Sequence, residues 1–320
     1  MEAEQARSEA ASQEYKRADE EHGIKPDGKD DGGGGGHLDC MDEDEVDLGA
    51  GINILDSFRQ EWEHTYGRRR GSFEDETEIP AMLHTLGPIL PLSAWPRDML
   101  QIFSVKVMEI KGSLHWPLDV YGHVAVRDAL DHRRNYIFRR TPENCQTLTS
   151  PQDSLKLTGP SRAVVLLNPV YFEIDLKVKS DGIPFECEDK ILSYHCFCYS
   201  NVSHISDNGF ARREVESTEH STMEYVIAHL KKAVEATIEV HVVEGSTDFN
   251  ARFTARTAGI DEDVVLLDSL DKKVPVANDG FVTLTLDRRV VSVEAKEERE
   301  GFVTVHVQAT KGDGSNSVVL

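Results

Sequence analysis

The sequence predicts an all-β protein, an antiparallel β-sandwich of about a dozen strands, preceded by a disordered acidic tail and one short helix. From Leu100 to Ala309 short runs alternate apolar and polar residues, which is the period of a half-buried strand. Turn residues such as Asp181-Gly182 and Asn208-Gly209 separate these runs. This number of strands exceeds one comfortable open sheet and suits two packed antiparallel sheets.

The first fifty residues differ from the rest of the chain in charge. Residues 1–50 hold 16 acidic and 5 basic side chains, which is half of the net charge of -22. Gly32 to Gly36 form an uninterrupted glycine run in this segment. Such a composition cannot bury enough apolar area to offset its ordering entropy. We therefore predict disorder for residues 1–50, and we expect the same of residues 311–320.

Residues 51–99 are predicted to hold a helix and a proline-rich lead-in that pack on the main domain. Apolar residues recur at spacings of three and four from Ile52 to Tyr66, which places them on one helical face. Asn53 and Asp56 are candidate N-caps, and Gly67 is the candidate stop. The alternative is a helix that is offered to the groove of a partner.

The main domain, residues 100–310, contains the strand series. Ser221 to Leu230 fits both helical and strand spacing, and we assign a strand because the β pattern continues on both sides. The other predicted strands are Phe103–Val107, Val120–Val126, Tyr136–Arg139, Ala163–Leu167, Val170–Lys179, Lys190–Tyr199, Val234–Val242, Phe249–Arg256, Asp263–Leu267, Phe281–Leu286, Val290–Ala295 and Phe302–Ala309.

The acidic balance argues against binding to nucleic acid or to an anionic membrane, because both need clustered Lys and Arg. No run approaches the roughly 18 apolar residues of a membrane span. The acidic start has neither the apolar core of a signal peptide nor the composition of a transit peptide. Five cysteines without framework spacing favour reduced thiols, and therefore the cytoplasm or nucleus.

Six arginines around one predicted strand form the candidate binding site. The guanidinium group offers paired donors that suit phosphate or carboxylate. The alternative is pairing with the surplus Asp and Glu of the chain. The six residues are Arg127, Arg133, Arg134, Arg139, Arg140 and Arg162.

Neither a metal nor a cofactor is expected. Cys196 and Cys198 share a strand face about 7 Å apart, which is not the knuckle that zinc sites use. In an oxidising setting only, the alternative is a disulfide bridge from Cys196 or Cys198 to Cys187. Two acidic loops offer the oxygen ligands that calcium takes, but their spacing matches no familiar calcium pattern, and solvated turns are favoured. The loop residues are Asp128, Asp131, His132, Asp261, Glu262, Asp263, Asp268 and Asp271.

No catalytic constellation stands out in the sequence. Ser161 is not in the Gly-x-Ser-x-Gly setting of a nucleophile elbow. His115, His123 and His195 are the residues that a cryptic hydrolase would have to use, as a remote alternative. The three tryptophans are expected to pack on the core rather than to stack on sugars. They are Trp62, Trp95 and Trp116.

Several stretches of the chain are distinctive as strings of residues. They are Leu118–Asp128, Arg133–Arg140, Leu157–Val165, Val234–Ile238, Phe58–Trp62 and Phe73–Asp75. These stretches resemble an uncharacterised domain family of grasses, domain of unknown function 6598. The resemblance spans roughly Ile52 to Ala309 and implies a plant protein. The same domain is also found fused to ribosome-inactivating toxin domains, which implies a role in stress or defence.

The resemblance implies no catalytic residue. A toxin N-glycosidase needs Glu-Ala-any-any-Arg on a helix, whereas this chain has Glu294-Ala295-Lys296-Glu297 after a predicted strand, so that activity is not expected. We expect a non-enzymatic protein-interaction module that binds protein partners. The sequence identifies neither those partners nor the oligomeric state. The alternative is a ligand-binding sandwich that takes sugar, calcium or an anion in the loops at one end.

Overall fold

The computed structural model describes residues 53–82, 96–167, 169–180, 189–200, 209–244, 247–269, 272–278, 282–295, 303–311 and 316–317. The predicted disordered tail, residues 1–50, lies outside the described residues, as do Trp95, Cys187 and Asp271. The regular structure of the described residues is mostly antiparallel strands, with one α-helix, which confirms the all-β prediction. No helix in the described segments is long and apolar enough to cross a membrane.

The described residues form one α-helix, one 3-10 turn at Pro142–Asn144, and seventeen strands. The elements are α1 (Ile54–Arg70), β1 (Arg97–Ile110), β2 (Leu118–Arg127), β3 (Asn135–Arg140), β4 (Gln146–Leu148), β5 (Val164–Val165), β6 (Val170–Val178), β7 (Lys190–Tyr199), β8 (Ala211–Ser217), β9 (Ser221–Thr237), β10 (His241–Val242), β11 (Phe249–Thr257), β12 (Val264–Asp268), β13 (Val276–Asn278), β14 (Val282–Leu284), β15 (Val290–Glu294), β16 (Val303–Lys311) and β17 (Asn316–Ser317).

The strands form four sheets. The outer sheet has the order β3-β2-β6-β7, with β4 also paired to β2. The central sheet has the order β15-β9-β1-β5, with β8 also paired to β9. The distal sheet has the order β12-β11-β16-β17, and a small sheet has the order β10-β14-β13. Consecutive strands pair in many places, so the connections are mostly short hairpins.

The central sheet is buried on both faces. Leu100 and Ile102 of β1 face a first core that the outer sheet completes with residues such as Phe172. Met99 and Phe103 are the neighbours of these two residues along β1, and they face a second core that is shared with the distal and small sheets. The result is three stacked layers rather than a single pair of sheets. The run Met99–Phe103 is apolar on both faces except at Gln101, and a strand buried on both sides has this composition.

Most predicted strands are present, and Ser221 does begin a strand, β9. The prediction of one strand over Val234–Val242 is wrong, because β9 runs on to Thr237 and the chain then changes sheets to form β10. Four short strands were not predicted: β4, β8, β13 and β17. Strand β17 lies within residues 311–320, for which disorder is predicted, and it pairs with Ala309 and Thr310 of β16.

Helix α1 lies against the outer sheet. Its N-cap is Asn53, whose side chain accepts a hydrogen bond from the amide of Leu55 at 2.8 Å. The prediction that Gly67 stops the helix is wrong. The helix continues to Arg70, whose charge suits the C-terminal end of the dipole, and it ends at Gly71 with φ 95°.

Candidate functional site

The outer sheet carries a buried ion-pair group, the Glu173 cluster, made of Glu173, Arg127, Arg134 and His123. Glu173 Oε2 accepts hydrogen bonds from Arg127 Nε at 2.9 Å and Nη2 at 2.7 Å. Arg134 Nε donates to Glu173 Oε1 at 3.0 Å, and His123 Nε2 lies 3.1 Å from the same oxygen. Glu173 is therefore the shared counter-ion of two buried guanidinium groups. Arg134 also pairs with the half-exposed Glu74.

A second group, the Asp128 cluster, joins Asp128, Asp131 and Arg162. Arg162 Nη1 and Nη2 lie 2.6 Å and 2.9 Å from the two oxygens of Asp128, which is the bidentate geometry. Arg162 Nη2 also lies 3.3 Å from Asp131 Oδ1. Asp128 further accepts the amide of Val165 at 2.9 Å. The cluster therefore ties the loop after β2 to the short strand β5.

Both carboxylates are held in their charged form. Burial alone would raise the pKa of Glu173, but the His123 hydrogen bond and the charges of Arg127 and Arg134 outweigh it, so its pKa lies well below the usual range. Burial would likewise raise the pKa of Asp128, and the charge and hydrogen bonds of Arg162 reverse the shift. Neither group is therefore available as a proton acceptor near neutral pH.

Helix α1 and the residues after it close the Glu173 cluster. The guanidinium of Arg127 lies over the rings of Phe73, at 3.9 Å, and Trp62, at 5.2 Å. Trp62 Nε1 donates to the carbonyl of His132 at 2.8 Å, and Arg127 Nη1 donates to the same carbonyl. These contacts hold the helix on the sheet, and they give the buried arginine a structural role.

The six predicted arginines do not converge on one site. Arg127 and Arg134 meet at Glu173, while Arg162 is paired with Asp128 in the neighbouring cluster. All three side chains are buried and paired with carboxylates. Any binding role for them would require an incoming anion to displace a buried carboxylate.

The other three arginines lie further out. Arg133 pairs with Glu78 at 3.1 Å, and the exposed Arg139 pairs with Glu76 at 3.3 Å. Arg140 is half-buried and lines a cleft that is described below. Of the six residues, it is the one that remains a binding candidate at that cleft.

The cysteines divide into two states. Cys196 is free and buried beneath α1, and burial raises the pKa of its thiol, so it packs as a small apolar residue. Cys145 is free and half-buried. Cys198 is disulfide-bonded, which corrects the expectation of reduced thiols throughout the chain. Its partner is not among the cysteines that the structure describes.

The predicted acidic loops are engaged in ion pairs. Arg256 binds Asp263 at 2.8 Å and Asp261 at 3.0 Å, and Arg252 lies 3.3 Å from Asp268. Within the described segments, no group of three or more His, Cys, Asp or Glu side chains is arranged to hold a metal ion.

The candidate histidines and tryptophans lie in different settings. His115 is exposed, His123 belongs to the Glu173 cluster, and His195 Nε2 lies 3.3 Å from Glu216 Oε2. Trp62, a residue of α1, is buried, and Trp116 is partly buried and packs against the first core. The buried Trp62 offers no open ring face of the kind that sugars stack on.

A cleft of 1440 Å³ lies between the outer and distal sheets and crosses β1 of the central sheet. Its floor includes Phe103, Ser104 and Lys106 of β1. One wall comes from residues 140–157, which include β4, and the other from β11, β12 and the segment before β15.

The described lining of the cleft is more basic than the chain as a whole. It holds eight Lys or Arg side chains and six Asp or Glu side chains, in a chain with 35 basic and 57 acidic residues. The six carboxylates all have partners: Asp287 binds Lys156 at 2.9 Å, for example, and Asp153 accepts two amides of its own turn. Four lining cations have no carboxylate within ion-pair distance among the described residues. They are Lys106, Arg140, Lys272 and Arg288.

Sequence reasoning found only Arg140 of these four. Lys106 lies on the polar side of a predicted strand, and Arg288 lies beside Arg289 between two predicted strands, so neither forms a recognisable cluster in the sequence. The residues meet only because β1, β12 and the segment before β15 come together in the fold. No local pattern could have indicated this.

Fold and cleft together define an all-β domain of stacked antiparallel sheets with a charged cleft. The chain belongs to the family described as domain of unknown function (DUF6598), whose model matches residues 99–319. No curated protein matches the chain. One similar solved structure contains the SMP domain and the two C2 domains of extended-synaptotagmin 2, at 8% identity and a TM-score of 0.24. The match covers 70% of this chain and 48% of that one, and the likeness is too slight to bear on fold or function.

Proposed function

We propose that this chain is a non-enzymatic binding domain and that the charged cleft is its binding site. The observation that carries the proposal is a 1440 Å³ cleft in a chain of net charge -22, whose lining includes four cations with no carboxylate partner among the described residues. Its volume exceeds the roughly 300–1,000 Å³ of ordinary small-molecule pockets, so it has room for a large ligand or a segment of a partner protein.

The state of the charged groups supports binding rather than catalysis. The carboxylates of the lining are held by Arg, Lys or backbone amides, which makes them poor general bases. The histidine closest to a buried carboxylate, His123, shares Glu173 with two arginines in the Glu173 cluster. A general base needs a free lone pair and a pKa near the working pH, and Glu173 has neither.

The biological setting of the proposal rests on the resemblance to grass proteins. We propose a plant protein that acts in stress or defence and binds a protein partner. For the compartment, the composition of the chain favours the cytoplasm or nucleus. The disulfide at Cys198 instead favours an oxidising compartment, because disulfide bonds persist mainly there.

Blocking the cleft tests the proposal. Ser104→Trp places a bulky ring on the cleft floor, whereas Val243→Trp adds the same ring at a fully exposed position outside the described lining. In affinity capture from plant extract, the wild type and V243W should recover the same partners, and S104W should lose them. Recovery of an unchanged set by a folded S104W would contradict the proposal, and thermal unfolding of all three proteins checks that they fold.

A further inference from the structure

Arg288 is a buried arginine that has no counter-ion among the residues the structure describes. Its side chain is 1% exposed, and it lines the cleft. The Nη2 atom donates to the carbonyl of Ile102, and the backbone amide donates to the carbonyl of Leu266 at 3.0 Å. Within the described segments, the Nε and Nη1 atoms have no hydrogen-bond partner. The backbone contacts fix the guanidinium in place, and most of its donors are left unused.

The other fully buried arginines of the described chain show how unusual this is. Arg127 and Arg162 are equally buried, and each is matched by a carboxylate of the Glu173 or Asp128 cluster. A buried cation that lacks such a partner is costly. Burial lowers the pKa of Arg288 to about 9, and no acidic group of the described chain offsets the shift. Among the described residues, the charge of Arg288 at the cleft is therefore uncompensated.

Three other cations of the cleft lining, one of them an arginine, also lack a carboxylate partner among the described residues. Arg140 donates Nη1 to the carbonyl of Asn144 at 3.2 Å, but its buried Nε atom has no hydrogen-bond partner in the described segments. Lys106 on the cleft floor and Lys272 on its margin are also without a carboxylate among the described residues. Four cations therefore face one opening without neutralisation.

We propose that Arg288 anchors an anion-binding site in the cleft and that the ligand presents a phosphate or carboxylate group to it. A guanidinium with unused N–H donors matches the planar edge of such an oxyanion, and Arg140 supplies a second charge. This inference rests on the proposed function, because it names the chemical class of ligand that the cleft accepts.

The rest of the lining limits the ligand to one or a few anionic groups. The six paired carboxylates would repel a long polyanion such as a nucleic acid, which needs an uninterrupted basic surface. The ligand therefore combines a small anionic group, bound at Arg288, with a larger body that fills the remaining volume.

Calorimetric titration of the full chain with inorganic phosphate and, separately, with succinate tests the proposal. Arg288→Met removes the charge and keeps the approximate volume, and Arg289→Met is the matched control at the exposed neighbouring residue. We expect the wild type and R289M to bind at least one probe, and R288M to bind it about tenfold or more weakly. The preferred probe tells whether the ligand group is a phosphate or a carboxylate.

Two further measurements keep the test decisive. R288M should unfold at the same or a higher temperature than the wild type, since it removes an uncompensated buried charge, whereas a purely structural arginine would lower the midpoint. Arg140→Met, at a half-buried position, should weaken the same probe if R288M does not fold. If neither probe binds the wild type, or if the arginine variants bind it equally well, the anion site is overturned. The proposed binding function of the cleft would still be supported in that event if S104W lost partner capture.

Discussion

Glu173 sets the charge state of its whole surroundings, because one buried carboxylate faces Arg127 and Arg134. Glu173→Gln would leave both guanidinium groups without their main counter-charge. We expect the free energy of unfolding in urea to fall by about 3–5 kcal/mol. Glu76→Gln, which breaks only the exposed pair with Arg139, should change it by less than about 1 kcal/mol. Equal effects of the two variants would contradict the structural role of the Glu173 cluster.

His132 couples the same region to pH. Burial, with the charges of Arg70 and Arg127, lowers its pKa from 6.5 to about 4, although Asp128 acts in the opposite direction. The unfolded chain therefore takes up a proton at a pH where the folded chain does not. Stability from the neutral imidazole is complete above pH 6.5 and is lost as the pH falls toward 4, by up to about 3 kcal/mol.

Replacing His132 by Asn tests that dependence. The residue has φ 59°, and Asn tolerates this left-handed conformation better than most residues. We expect the unfolding free energy of H132N to fall less steeply than that of the wild type between pH 6.5 and pH 4. The slopes are the quantity to compare, since the variant also loses the stacking on Tyr66. Parallel slopes would show that another group titrates in this range.

At the scale of elements, β2 and β6 approach closely at Gly122, which has φ 106° in the middle of a strand. A Cβ at this position would meet the backbone carbonyl of Asp175. Gly112 also has a positive φ, of 66°, but the space around it is open. Gly112→Ala should therefore cost about 1–2 kcal/mol of unfolding free energy from backbone strain alone, and Gly122→Ala should cost clearly more. Chemical denaturation of both variants separates strain from steric contact.

The strands also show which elements a sequence pattern can predict. Strands such as Val170–Val178 alternate strictly, and they were predicted to within a residue or two. The apolar spacing predicts helix α1 but not its last turn. Gly67 tolerates the helical conformation once the preceding turns pack on the outer sheet, so the helix continues past it. Strands β4, β13 and β17 are only two or three residues long, which is too short for an alternation of apolar and polar residues to register. Strand β8 is mostly charged and polar, so it shows no apolar face.

At the scale of the molecule, the all-β class was predictable and the layering was not. Alternation reports that a strand has a buried face, but it does not report what covers the opposite face of β1 and β9. The candidate site follows the same logic. The arginines that cluster in the sequence are mostly neutralised in the fold. Arg288, which lies between two predicted strands, is instead a buried cation with no carboxylate partner in the described part of the chain.

The family match begins at residue 99, yet the folded unit includes α1. Leu55, Phe58 and Trp62 of this helix are buried in one apolar cluster with Phe73 and Cys196, and the helix covers the Glu173 cluster. A fragment of residues 97–320 would expose this surface and remove the rings over Arg127. We expect it to unfold at a clearly lower temperature than the full chain and to bind a hydrophobic dye.

A fragment of residues 49–320 is the matched control for that experiment, because it removes only the acidic segment. Its composition predicts little burial, so the midpoint of thermal unfolding should stay nearly unchanged. A drop of several degrees would show that the acidic segment docks on the domain. If instead fragment 97–320 matched the full chain, α1 would be dispensable, and the residues matched by the family model would form the complete folding unit.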